Sequence, residues 1–115
     1  MKRRPTDPIP AATDTVAPLC SALAALGSSS EVRAFLADLC TPAEVEAMAD
    51  RWRVVPLLLE GLPYREIHDV TGVSVTTVGR VARCLALGTG GYRMAADRLG
   101  ESHRQSHPQA YPPSA

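Results

Sequence analysis

Aromatic residues are scarce in this chain of 115: one Trp, one Phe and three Tyr. No segment alternates apolar and polar side chains as a half-buried strand would, while alanine and leucine abound. Those two lacks exclude a β architecture and leave an all-α chain, with one compact domain at this length. No apolar run approaches a membrane span; Val54–Leu59, the most apolar stretch, is far too short. No membrane partner is expected. Cys20, Cys40 and Cys84 show no C-x-x-C spacing and no signal peptide is legible, so reduced thiols and a soluble, cytoplasmic protein are expected.

Catalytic constellations are lacking too. Glu44, Glu46 and Asp50 fall in the first half of one helix, where the dipole accounts for those nearest its start, and no carboxylate pair offers acid–base chemistry. His68 falls where a helix faces its neighbour, which predicts a packed side chain. His103 and His107 are four apart, but in a proline-rich tail without a cysteine or well-placed carboxylate to complete a metal site. Gly88-Thr-Gly-Gly91 reads as a flexible linker between helices, not as a phosphate loop. No enzyme, metal or cofactor is expected.

Net charge is zero, which at first counts against nucleic acid. Its distribution says otherwise. Residues 1–50 carry four basic and seven acidic side chains, residues 51–115 eight and five. The basic half holds the most informative stretch of the chain, Tyr64 to Arg83. A helix is predicted over Tyr64–Thr71, then Gly72 at a turn needing positive φ, then Ser74 as N-cap of a second helix. Ile67, Val70, Val73, Val78 and Val81 fall where the two helices would pack. Thr76 and Thr77, with Arg80 and Arg83 behind, remain for the outer face. Short polar side chains followed by arginines suit a helix entering a major groove.

Around this helix-turn-helix (64–86) four more helices are predicted. The first spans Val16–Leu26, stopped by Gly27, and the second Glu31–Leu39, capped by Ser30. Thr41-Pro42-Ala43-Glu44 opens a third with a capping box and proline at the first helical position. It runs toward Glu60 with Val45, Met48, Ala49, Trp52, Val55, Leu58 and Leu59 inward, and Pro56 should kink or split it near Arg53. The last helix covers Gly91–Leu99. Residues 1–14 and 100–115 are expected to be disordered tails, leaving 15–99 as the folded domain.

These helices carry a family resemblance. The runs Asp38–Trp52, Leu58–Ile67, Thr71–Val81 and Arg83–Gly88, closed by Gly91, Tyr92 and Asp97-Arg-Leu99, resemble the Trp-repressor superfamily, and within it the YerC/YecD branch. The resemblance implies a six-helix Trp-repressor-like fold that forms an intertwined homodimer, its two helix-turn-helix heads reaching successive major grooves of a near-palindromic operator. In the tryptophan-binding member two arginines sandwich the indole, and a glycine and a serine make room for it. The arginines correspond to Arg51 and Arg80, the glycine to Val81 and the serine to Cys84. Valine and a thiol at those positions imply that tryptophan sensing is absent and leave a small-molecule effector doubtful.

The sequence therefore reads as a DNA-binding transcriptional regulator, a nucleoid-associated homodimer acting as a repressor on double-stranded DNA. Ser74, Val75, Thr76, Thr77 and Arg80 are the candidates for base edges; Arg65 and Arg83, then Arg53, for phosphates. The alternative is a dimeric adaptor that keeps the core but no longer reads DNA.

Overall fold

The computed structural model describes residues 14–106, with side chains to residue 100. The expected arm, save Asp14, and the tail beyond residue 106 lie outside the described residues, as do the side chains of His103 and His107. Among the described residues there are six α-helices and no strand: α1 (Ala17–Ala25), α2 (Ser29–Leu39), α3 (Pro42–Leu59), α4 (Tyr64–Thr71), α5 (Val75–Leu87) and α6 (Gly91–Ser106). The chain divides into two units, one up to Cys40 and one from Thr41.

In the first unit, the amides of Val16 and Ala17 donate to the Asp14 carboxylate at 2.9 and 3.1 Å, so Asp14 opens α1 and is no part of a tail. Ser28, not Ser30, caps α2. Its extended backbone lets the hydroxyl accept from the Glu31 amide at 3.2 Å, while Ser30 already lies inside the first turn. Neither α1 nor α2 contains a buried residue. Val16, Leu19 and Leu39 are exposed outright.

The second unit starts with the predicted capping box. The Glu44 amide donates to the Thr41 hydroxyl at 3.2 Å, and the Thr41 amide to the Glu44 carboxylate at 2.8 Å. Such a cap is worth about 1 kcal/mol. Pro56 does not split α3, which runs unbroken to Leu59. The helix forgoes the bond from position 56 to the Trp52 carbonyl and absorbs the crowding of that carbonyl by the proline ring. Gly61 (φ +85°) then ends α3 in a Schellman motif: Leu62 donates to Leu57 at 3.2 Å and Gly61 to Leu58 at 2.9 Å.

Val54, Val55, Ile67, Val73, Val78 and Val81 make the core, with Trp52, Leu57, Leu58, Leu62, Leu85, Tyr92 and Ala96 packed against it. Burying each such aliphatic side chain contributes roughly 1.5–3 kcal/mol. Two expectations change here. Val54 is fully buried although the predicted stripe omitted it, while Met48, Ala49 and Leu59 on that stripe are exposed. The cause is that α4, α5 and α6 all pack on α3, so the buried arc is set by three neighbours and not by one. Val70, expected between α4 and α5, is 66% exposed. On α4 the inward direction runs from Ile67 to Thr71, one turn on, and Val70 lies about 100° round the helix from Thr71, at the flank of that direction.

Trp52 and Tyr92 bring α3 and α6 together, their rings tilted by 42° with centroids 6.4 Å apart. The turn before α6 is no featureless linker. Gly88 donates to the Cys84 carbonyl at 2.8 Å, and a Cβ on it would lie 2.4 Å from that same oxygen. Only glycine fits there. Finally, α6 runs to Ser106, seven residues past the expected end of that helix.

Candidate nucleic-acid interface

The helices α4 and α5 meet at 120° across the three residues Gly72, Val73 and Ser74, within the geometry of a helix-turn-helix. Gly72 takes φ +77° and ends α4 in the left-handed conformation, which glycine adopts almost freely. Ser74 caps α5, accepting from the Thr77 amide at 3.1 Å. Both features were legible in the sequence.

Two further side chains of the turn were not. Val73 is buried, so its peptide groups need protein partners. The Thr71 hydroxyl accepts from the Val73 amide at 3.0 Å and donates to the Ile67 carbonyl at 2.7 Å. His68 Nδ1 lies 2.8 Å from the Val73 carbonyl, which requires the proton on that nitrogen. His68 is thus an exposed residue bracing the turn, and not the packed one expected. Threonine and histidine have many uses on a helix, and only the course of the chain beyond Gly72 reveals this one.

With the angle fixed, α5 turns Val78 and Val81 into the core. The helical repeat then puts Thr76, Arg80 and Arg83 together on its opposite side, and all three are exposed. Val75 is exposed beside them and Thr77 is half-buried. Ser74 Oγ also donates to Thr77 Oγ1 at 3.0 Å, so these two hydroxyls are partly engaged with each other. Arg65 is exposed on α4. Arg53 is exposed on α3 but pairs with Asp50 at 2.5 Å, which removes much of its pull on a phosphate.

Arg51 and Arg80 line one open cavity of about 290 Å³, together with Asp50, Val73, Ser74 and Thr77. Val81 and Cys84 do not. Val81 is a core residue, 1% exposed, and Cys84 borders a separate groove with Gly88 to Tyr92. Of the four positions grouped by resemblance, the fold of a single chain brings together only the arginines. Among the described residues no group of three His, Cys, Asp or Glu side chains is placed to hold a metal, and no single helix is long and apolar enough to cross a membrane.

A helix-turn-helix on a third helix, with no strand among the described residues, narrows the choice of family. The profile described as "Trp repressor protein" matches residues 14–100. The chain belongs to the Trp repressor family. Family proteins of this kind are helix-turn-helix regulators, and that is its class. It is 39% identical over 88 residues to the uncharacterized protein YerC of Bacillus subtilis, across 76% of this chain and 85% of that one. A TrpR-like protein from Eubacterium eligens superposes with a TM-score of 0.71 at 35% identity, covering 76% of this chain and 91% of its own. A Staphylococcus aureus chain solved as a candidate Trp repressor gives 0.70 at 32%, over 74% of this chain and 85% of that one. The expected YerC-type, Trp-repressor-like fold is therefore correct.

Proposed function

We propose that this chain is a homodimeric DNA-binding transcriptional repressor that occupies a near-palindromic operator without responding to tryptophan. The observation that carries the reading is the split face of α5: Val78 and Val81 hold it to the core while Thr76, Arg80 and Arg83 stand together in solvent. A helix anchored on its apolar side and open on a polar, basic one is built to be inserted. Thr76 and Arg80 take base edges, with Val75 offered to a thymine methyl; Ser74 and Thr77 contribute with the hydroxyl capacity their mutual bond leaves. Arg65 and Arg83 take phosphates.

Dimerisation is supported by the first unit. Two helices without one buried residue cannot repay the entropy of ordering them, so they need a second surface. The exposed Met48, Leu87 and Leu99 of the second unit point the same way. Tryptophan independence is supported by Val81 and Cys84, neither of which lines the cavity of Arg51 and Arg80. Such a protein works in the cytoplasm, on the nucleoid, and needs no cofactor.

Selection of bound fragments from a random DNA library is the direct test. The expected winner is an inverted repeat with half-sites one helical turn apart, and log affinity should fall linearly with log salt. A dimer that enriches no sequence and shows no salt-dependent binding would instead be an adaptor that has lost DNA reading.

A further inference from the structure

Gly79, half-buried, is the one glycine within α5, next to Arg80 and one turn on from Thr76. Glycine is a poor residue for a helix interior, and a Cβ here would be accommodated, with a single side chain in ordinary contact. A Cβ built on Gly79 would lie 3.9 Å from Cε2 of Tyr64. The first side chain of α4 therefore reaches across and rests its ring on the recognition helix, where it remains 45% exposed. Arg65, exposed, follows it in the chain.

We infer that Tyr64 is a DNA-contacting residue of this head, its hydroxyl donating to a backbone phosphate while its ring lies against the recognition helix at Gly79. The inference rests on the DNA-binding reading above. A phenol suits the task because it is a neutral donor on a rigid, apolar body with few rotamers to lose. Tyrosine is among the side chains that hold phosphates. Seated on Gly79, it sets the height at which the duplex meets α5, so it positions Thr76 and Arg80 without reading a base itself.

Full-length wild type, Tyr64→Phe and Tyr64→Ala are compared on the selected operator, together with duplexes carrying one neutral methylphosphonate at each backbone position in turn. Tyr64→Phe should melt like wild type and bind about 3- to 10-fold more weakly, the loss of one hydrogen bond. Its salt slope should stay unchanged, since a neutral donor releases no counterion. One methylphosphonate position per half-site that weakens wild type should leave Tyr64→Phe indifferent. Tyr64→Ala should lose more than Tyr64→Phe. If Tyr64→Phe binds as wild type does, or if every methylphosphonate weakens both proteins alike, the inference is wrong and the ring merely packs. If wild type itself selects no operator, the DNA-binding reading has failed and takes this inference with it.

Discussion

The two units of this chain solve burial differently. From Thr41 onward, six aliphatic side chains close a core and the turn's buried peptide groups find side-chain partners. Among the described residues up to Cys40 none is buried, and Leu23, Phe35 and Leu36 are only partly covered. Both units are regular, capped helix. What separates them is whether one copy of the chain supplies the far side of the apolar face. On the reading proposed above, the unit with its own core is the one that meets DNA, and the unit without one is the one that joins two copies.

The largest effect tests that difference outright. The protein should sediment as a dimer that does not dissociate without unfolding, with a melting temperature that rises with protein concentration. Leu23, Phe35, Leu36, Trp52 and Leu99 should bury between subunits, at roughly 1.5–3 kcal/mol each. A folded monomer at micromolar concentration in analytical ultracentrifugation would break the comparison, because the first unit would then persist without cover.

Within the head, Thr71→Val should cost about 1–3 kcal/mol by leaving the buried Val73 amide without an acceptor. Thr71→Ser keeps the hydroxyl and should recover most of that. Chemical denaturation of the three proteins at equal concentration checks it. A larger loss for serine than for valine would place the role of Thr71 in its methyl group, not its oxygen.

Arg80 and Arg83 sharpen the picture of the head's outer face. If Arg80 reads a guanine, Arg80→Ala costs about 1–3 kcal/mol and relaxes preference at one base position. If Arg83 holds a phosphate, Arg83→Ala weakens all sequences alike and lowers the salt slope by about one. Binding titrations on the operator and on single-base variants separate the two. Sequence-blind losses at both positions would mean that the recognition face lies elsewhere.

The features legible beforehand are those whose cause lies within a few residues. Gly72 and Ser74 set the turn, and Thr41 and Glu44 cap each other across three positions. The features that were not legible depend on which direction is inward. Val54 is buried and Val70 exposed because of how α4 to α6 sit on α3, which periodicity along one helix does not contain. Thr71 and His68 serve a peptide group two and five residues on, past a reversal of the chain. Tyr64 belongs to the same group. Its ring meets a glycine fifteen positions later, and only the packing of two helices makes them neighbours.

The smallest expected effect is none at all. Adding L-tryptophan should leave both DNA affinity and melting temperature unchanged, since a ligand shifts either only by binding one state better. The resemblance puts a valine where the tryptophan-binding member has glycine, and the fold says what that valine now does. Val81 is packed in the head's core at 1% exposure and does not line the cavity of Arg51 and Arg80. Restoring glycine would thus remove a buried side chain worth roughly 1.5–3 kcal/mol and add a helix penalty of only about a few tenths of a kcal/mol relative to valine. Val81→Gly should be markedly less stable and still fail to bind tryptophan, even with Cys84→Ser beside it. That outcome would tie the proposed tryptophan independence to the packing of Val81 in the core. Micromolar tryptophan binding by the wild type in calorimetry would overturn this, and would show that the two arginines make a sensor without the other two positions.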